Sequence, residues 1–300
     1  MAHGFIENPV PGGLRPERHA WCIRPGLALL VTLALWVSGP VDASGPPDLQ
    51  EGGPLPRILE KAELYCRKLG ASSLYFVCRE KIDERQYTPP LRLFSNTGGT
   101  TEPRLTRVVL EYDYQLIRKG GSIEEKRVLL RENKELRNEP DAELKTKLYK
   151  HKNLVFGPGG LLSEYWQPRH TYIYLGEQKV DGDRTYVVEA APAGSPEPDL
   201  VYGKAWVRQR DFAVVKIEWD QRCLSNFDQI LAMAERIGHQ AEPRMSVSCT
   251  YGVEKNGIRF PDRLTIREEY WSTRGTYRVS ETSVRYEDYK FFIVETEVKY

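Results

Sequence analysis

Several signatures of catalysis and of polyanion binding are missing from this 300-residue chain. No Gly-x-Ser-x-Gly elbow raises a serine nucleophile on a strand-to-helix turn. His151, His170 and His239 stand far apart, and no His-x-His or His-Glu-x-x-His spacing gathers zinc ligands. The glycine-rich run Gly157-Pro158-Gly159-Gly160 has no Lys-Ser or Lys-Thr after it, which excludes a phosphate-cradling P-loop. Carboxylate pairs at Glu268-Glu269 and Glu295/Glu297 read as solvated strand faces, unlike the converging pair a glycosidase needs. With 43 basic and 42 acidic side chains the net charge is +1, so no basic field awaits nucleic acid. These absences argue against an enzyme and imply no cofactor and no metal.

Long apolar runs are scarce too. Leu27–Val37 follows Arg24 and has eleven residues, too few to cross a bilayer core of about 30 Å at about 1.5 Å per residue. With small residues at Val41-Asp42-Ala43, it predicts a signal peptide over 1–43, cleaved before Ser44, and a mature chain with no transmembrane span. Residues 44–56 are rich in Pro and Gly and read as a flexible tether. Removing the leader leaves Cys66, Cys78, Cys223 and Cys249, an even number suited to an oxidising compartment. Three pairings are possible; the local one, Cys66 with Cys78 and Cys223 with Cys249, brackets two helix-to-strand passages, each bridge contributing about 3 kcal/mol.

What is present is alternation. Leu200–Asp220 reads as two strands folded on Gln209-Arg210-Asp211, with Ala205 and Val207, then Ala213, Val215, Ile217 and Trp219, on one face. Leu105–Ile117 sets Val108, Leu110, Tyr112, Tyr114 and Leu116 against Glu111, Asp113 and Gln115, and Gly120-Gly121 turns it into a second strand. Asp181-Gly182 and Lys255-Asn256-Gly257 signal further hairpins. Apolar residues at helical spacing predict amphipathic helices over Arg57–Leu69 and Ser225–Gly238, the second stopped by Gly238. The charged stretch Lys134–Lys150 reads as a solvated helix or an excursion over the sheet. The fold class is α+β: one domain over 57–300, a strongly curved antiparallel sheet or half-barrel of about 10–11 strands with two or three covering helices.

Gly203–Asp220 (GKAWVRQRDFAVVKIEWD), Tyr251–Tyr270 and Tyr286–Tyr300, behind a leader and a first helix, resemble the superfamily of outer-membrane lipoprotein-sorting proteins, LolA/LolB-like and RseB-like, of the bacterial envelope. The resemblance covers roughly Leu55–Tyr300 and implies a half-barrel whose concave face holds acyl chains under helices. It implies a periplasmic carrier for acyl chains of lipids or lipoproteins; a sensor or interaction module binding envelope proteins on the same fold is the other reading. Acyl binding needs an apolar concavity and no charged catalytic group. The expected lining is Val108, Leu110, Tyr112, Tyr114 and Leu116 with Val215, Ile217 and Trp219, with either helix as the lid.

Overall fold

The computed structural model describes residues 6–7, 53–72, 74–88, 104–119, 122–195, 197, 200–224, 227–238, 240–273 and 275–292. The apolar run, the expected cleavage point and most of the tether lie outside them. From Pro54 onward these residues belong to one unit. Ile6–Glu7 pairs antiparallel with Lys150–His151, a contact that cleavage before Ser44 would remove.

Alternating sequences become strands as expected, and nearly all pair with a chain neighbour. They are β1 (Leu74–Thr88), β2 (Arg104–Lys119), β3 (Ser122–Glu132), β4 (Glu135–Glu139), β5 (His170–Val180), β6 (Asp183–Pro192), β7 (Gly203–Arg208), β8 (Val214–Trp219) and β9 (Glu242–Thr250). A small hairpin, β10 (Val253–Lys255) and β11 (Ile258–Phe260), precedes β12 (Arg263–Ser272) and β13 (Gly275–Phe291). Eleven of these strands form one antiparallel sheet in the order β4-β3-β2-β1-β13-β12-β9-β8-β7-β6-β5, with β10 and β11 apart. The order has two edges, so the sheet is open. The central pairing of β1 with β13 joins residues about 200 positions apart in sequence, and no local pattern announces it.

One face, here called inner, is covered. Helix α1 (Leu55–Ala71) buries Ile58, Ala62, Tyr65, Cys66 and Leu69, the stripe that its spacing predicts. The Gly-Pro-Gly-Gly run forms the short helix α2 (Gly157–Leu162). It needs glycine for close approach: a Cβ on Gly157 would lie 2.4 Å from the Tyr251 hydroxyl. Helix α3 (Phe227–Ile237) buries Ile230, Ala234 and Ile237 and ends on Gly238, left-handed at φ 67°. Lys134–Lys150 holds no helix. It forms β4 and then, from Ala142 to Tyr149, a strap without regular structure that packs Leu144 and Tyr149 into the core. The excursion reading of that stretch is the correct one, because Glu84, Tyr112 and Glu268 of the sheet beneath bond the strap.

Candidate ligand-binding site

Seven of the eight expected lining residues share one place. Val108, Leu110, Tyr112, Tyr114 and Leu116 on β2, with Ile217 and Trp219 on β8, all lie buried in the main core. Val215 does not join them. The β8–β7 register shifts between Val214 and Lys216, so Val214 takes the inner position while Val215 packs outward with Val187 and Trp206. One extra residue reverses the side-chain phase on either side of it, and a strict period of two cannot foresee that.

The open apolar space lies instead at one end of the inner face. A cavity of about 540 Å³ is bounded by the last turn of α1, the start of β1, the β10–β11 hairpin and the end of β13. Its walls include Phe76, Ile258, Phe260, Phe291 and Phe292, with Lys68, Lys255 and Asn256 at the polar side. The rings interlock: Phe76 meets Phe260 edge-on at 5.2 Å, Phe260 meets Phe291 at 4.7 Å, and Tyr289 stacks on Phe291 at 5.6 Å. Phe76 and Phe260 belong also to the core, so the cavity wall continues the floor that holds the expected residues.

Another phase shift makes this wall. The β13–β1 register breaks between Glu287 and Lys290, and Asp288 is left-handed at φ 58°. Tyr286 faces inward before the bulge; Tyr289 and Phe291 face inward after it, where unbroken alternation would have sent them out. Asn256 and Gly257, with φ of 54° and 71°, form the tight turn predicted for Asn-Gly. The backbone N–H of Arg259 donates to the Tyr65 hydroxyl at 3.2 Å, tying the hairpin to α1.

A second feature of the inner face is polar, and the sequence reading passed over it. Glu80 is fully buried. It accepts from Arg127 Nε at 2.7 Å and from the Tyr286 hydroxyl at 2.9 Å, and lies 2.8 Å from His151 Nε2. Burial alone would raise the Glu80 carboxyl; the Arg127 charge and the His151 hydrogen bond outweigh it and hold the group well below the usual carboxylate range. Glu84 accepts the backbone N–H groups of Lys147 and Leu148 at 3.0 Å each, pinning the strap. Glu268 takes the hydroxyls of Tyr149, Tyr270 and Ser280 at 3.0, 2.7 and 3.1 Å. The signal was available: Glu80 and Glu84 fall in phase with Phe76, Cys78 and Ile82, so alternation aims them inward within a run that looks solvated.

The expected disulfides are absent; Cys66, Cys78, Cys223 and Cys249 are free thiols. Their contacts lead elsewhere. Cys66 donates to the Pro158 carbonyl in α2 at 3.4 Å, Cys223 to the Tyr202 carbonyl at 3.2 Å, and Cys249 to the Thr250 carbonyl at 3.5 Å, while Cys78 sits by Tyr289. Burial pushes all four thiols up, Cys223 to about 12, so they are poor nucleophiles. Among the described residues no group of three or more His, Cys, Asp or Glu is placed to hold a metal, and no helix is long and apolar enough to cross a membrane.

No family model and no curated protein matches the chain. Among solved structures it is similar to a DUF1329 family protein from Desulfovibrio piger, at 13% identity and TM-score 0.35, over 82% of this chain and 96% of that one. It is similar also to a protein described as an outer membrane lipoprotein-sorting domain from Vibrio parahaemolyticus, at 10% identity and TM-score 0.34, over 80% and 94%. A LolA superfamily protein from Nitrosomonas europaea follows at 14% identity and TM-score 0.29, again over 80% and 94%. The group that the sequence resembles is therefore among those named by the structural likenesses, and at TM-scores below 0.5 the functional reading rests on the chain's own residues.

Proposed function

We propose that this chain is a periplasmic binding or carrier protein for the acyl chains of lipids or lipoproteins, built on a half-barrel and performing no catalysis. The observation that carries this reading is the aromatic-walled cavity at the end of the inner face. Its volume falls within the range of small-molecule sites, and apolar walls with a few polar groups at one side suit an amphiphile. Each methylene taken from water would contribute about 0.8 kcal/mol. A chain longer than the cavity would extend over Tyr114, Leu116, Ile217 and Trp219, the expected lining residues outside the strap, with α1 or α3 yielding above them. Native mass spectrometry of residues 44–300 purified without detergent tests this. One acyl species per chain, lost in Phe292→Asp, is the expected result; Phe292 is 47% exposed, so that variant should fold. A protein that stays ligand-free after incubation with lipid or acylated peptide overturns it.

A specific observation favours the second reading, an envelope sensor or interaction module. The edge strand β5 leaves Ile173 57% and Leu175 44% exposed beside a backbone edge that no described strand pairs with. Crosslinking that recovers one defined envelope protein through β5, from a chain that takes up no lipid, would replace the carrier reading with this one.

A further inference from the structure

Several charges on the sheet pair with a neighbour of opposite sign. On the uncovered face of the sheet Arg107 meets Asp83, Arg79 meets Glu111 and Lys81 meets Glu287, at 2.8, 2.8 and 2.7 Å. Three other cavities set acids beside their basic groups. The groove around Lys81, Arg85, Arg107 and Arg285 includes Asp83 and Glu281. The hollow beside Arg127 includes Glu125, Asp141 and Glu143, and that beside Arg67 includes Glu63 and Glu164. The aromatic cavity differs: Lys68 and Lys255 line it, and among the described residues no carboxylate does. Nor does either lysine form an ion pair within the described residues.

Lys68 reaches over the β10–β11 turn, its ammonium 2.6 Å from where a Cβ on Gly257 would be. Lys68 belongs to the last turn of α1, where a cation meets the negative end of the helix dipole. That accounts for one lysine. Lys255 has no helix terminus of its own, and it converges on the same cavity from β10. Two ammonium groups beside an aromatic wall, with no ion pair and no acid between them among the described residues, make a surface complementary to an anion tethered to an apolar chain.

We propose that the amphiphile bound in this cavity carries an anionic head, carboxylate or phosphate, which Lys68 and Lys255 hold at the mouth while the chain lies against Phe76, Phe260 and Phe291. This rests on reading the cavity as the acyl site. It excludes the neutral and cationic heads that an apolar pocket alone would accept equally well.

The test is isothermal titration of residues 44–300, at pH 7 and low ionic strength, with four probes sharing a hexadecyl chain length: hexadecanoate, hexadecyl phosphate, hexadecanamide and hexadecyltrimethylammonium. The anionic probes should bind about tenfold or more tighter than the amide, and the advantage should shrink as salt is added. Whichever of carboxylate and phosphate binds tighter identifies the head. Lys255→Glu should remove most of the advantage, and Lys68→Glu with Lys255→Glu should reverse it in favour of the ammonium probe; amide affinity should stay within about threefold of the parent. Both lysines are exposed, and circular dichroism confirms that the variants fold. Equal binding of charged and neutral probes, or an anionic preference that survives both substitutions, overturns the head-group proposal and leaves the cavity reading standing. Failure of all four probes, with Phe292→Asp indistinguishable from the parent, overturns the cavity reading itself.

Discussion

The inner face has two halves held by different physics. Under α1, α2 and α3 the sheet presents Leu116, Ile217, Val247 and Leu264, and contact there is dispersion and burial, without direction. Under the strap it presents Glu84, Tyr112 and Glu268, each bonded to the covering chain, with Glu80 bonded to His151 just beyond it; the Tyr112 hydroxyl, for example, accepts from the Lys145 N–H at 2.9 Å. Apolar packing can reshape around a guest and leaves a cavity at its margin. A carboxylate that pins two backbone N–H groups cannot be displaced without stranding them, so the strap fixes its half of the face closed.

The widest difference should appear on removing one member of the buried pair. Arg127→Ala leaves Glu80 charged and buried, and chemical denaturation should show a loss of about 3–5 kcal/mol. Replacing both, with Glu80→Leu and Arg127→Met, should cost far less, because well-packed apolar residues often match a buried ion pair; equal losses for single and double variants would erase the contrast. The pair also sets the acid limb. Glu80 is held below its unfolded value near 4.3, so its contribution is present above that pH and fades as pH falls through the folded value. Glu80→Gln should flatten stability against pH below about 4.

In the apolar half, Leu116→Ala should lose about 2–5 kcal/mol by opening a void beneath the covering elements, with no dependence on pH. Leu116→Glu should unfold the chain, since that side chain is fully buried. A folded Leu116→Glu protein would show that this half opens more readily than its packing implies. Smaller again is Tyr149→Phe, which removes one hydroxyl from Glu268 and should cost about 1–2 kcal/mol in a melt. Last, reductant should leave the melting temperature unchanged, and alkylation of the unfolded chain without reductant should label Cys66, Cys78, Cys223 and Cys249.

Much of this was legible beforehand, and the misses share a cause. The stripe of α1, the Gly238 stop of α3, the Asn256-Gly257 turn and the inward set on β2 follow from local periodicity and turn chemistry. Val215, Tyr289 and Phe291 were not readable, because bulges at Val214–Lys216 and Glu287–Lys290 shift the phase midway along a strand. Glu80 was readable by phase and overlooked by composition, since a charged run suggests solvent. The thiols show the limit of counting cysteines: an even number says nothing of where each side chain points.

By itself the sequence determined an antiparallel α+β chain with amphipathic helices and no local catalytic motif, because side-chain period and turn residues act over a few positions. Tertiary structure alone decided that β1 and β13 lie side by side at the centre of the sheet, that an unbridged strap closes over buried carboxylates, and that Lys68 and Lys255 meet at one aromatic cavity. Those outcomes join residues up to about 200 positions apart. Burial and hydrogen bonding fix such pairings only once the whole inner face is assembled, so no window of sequence contains them.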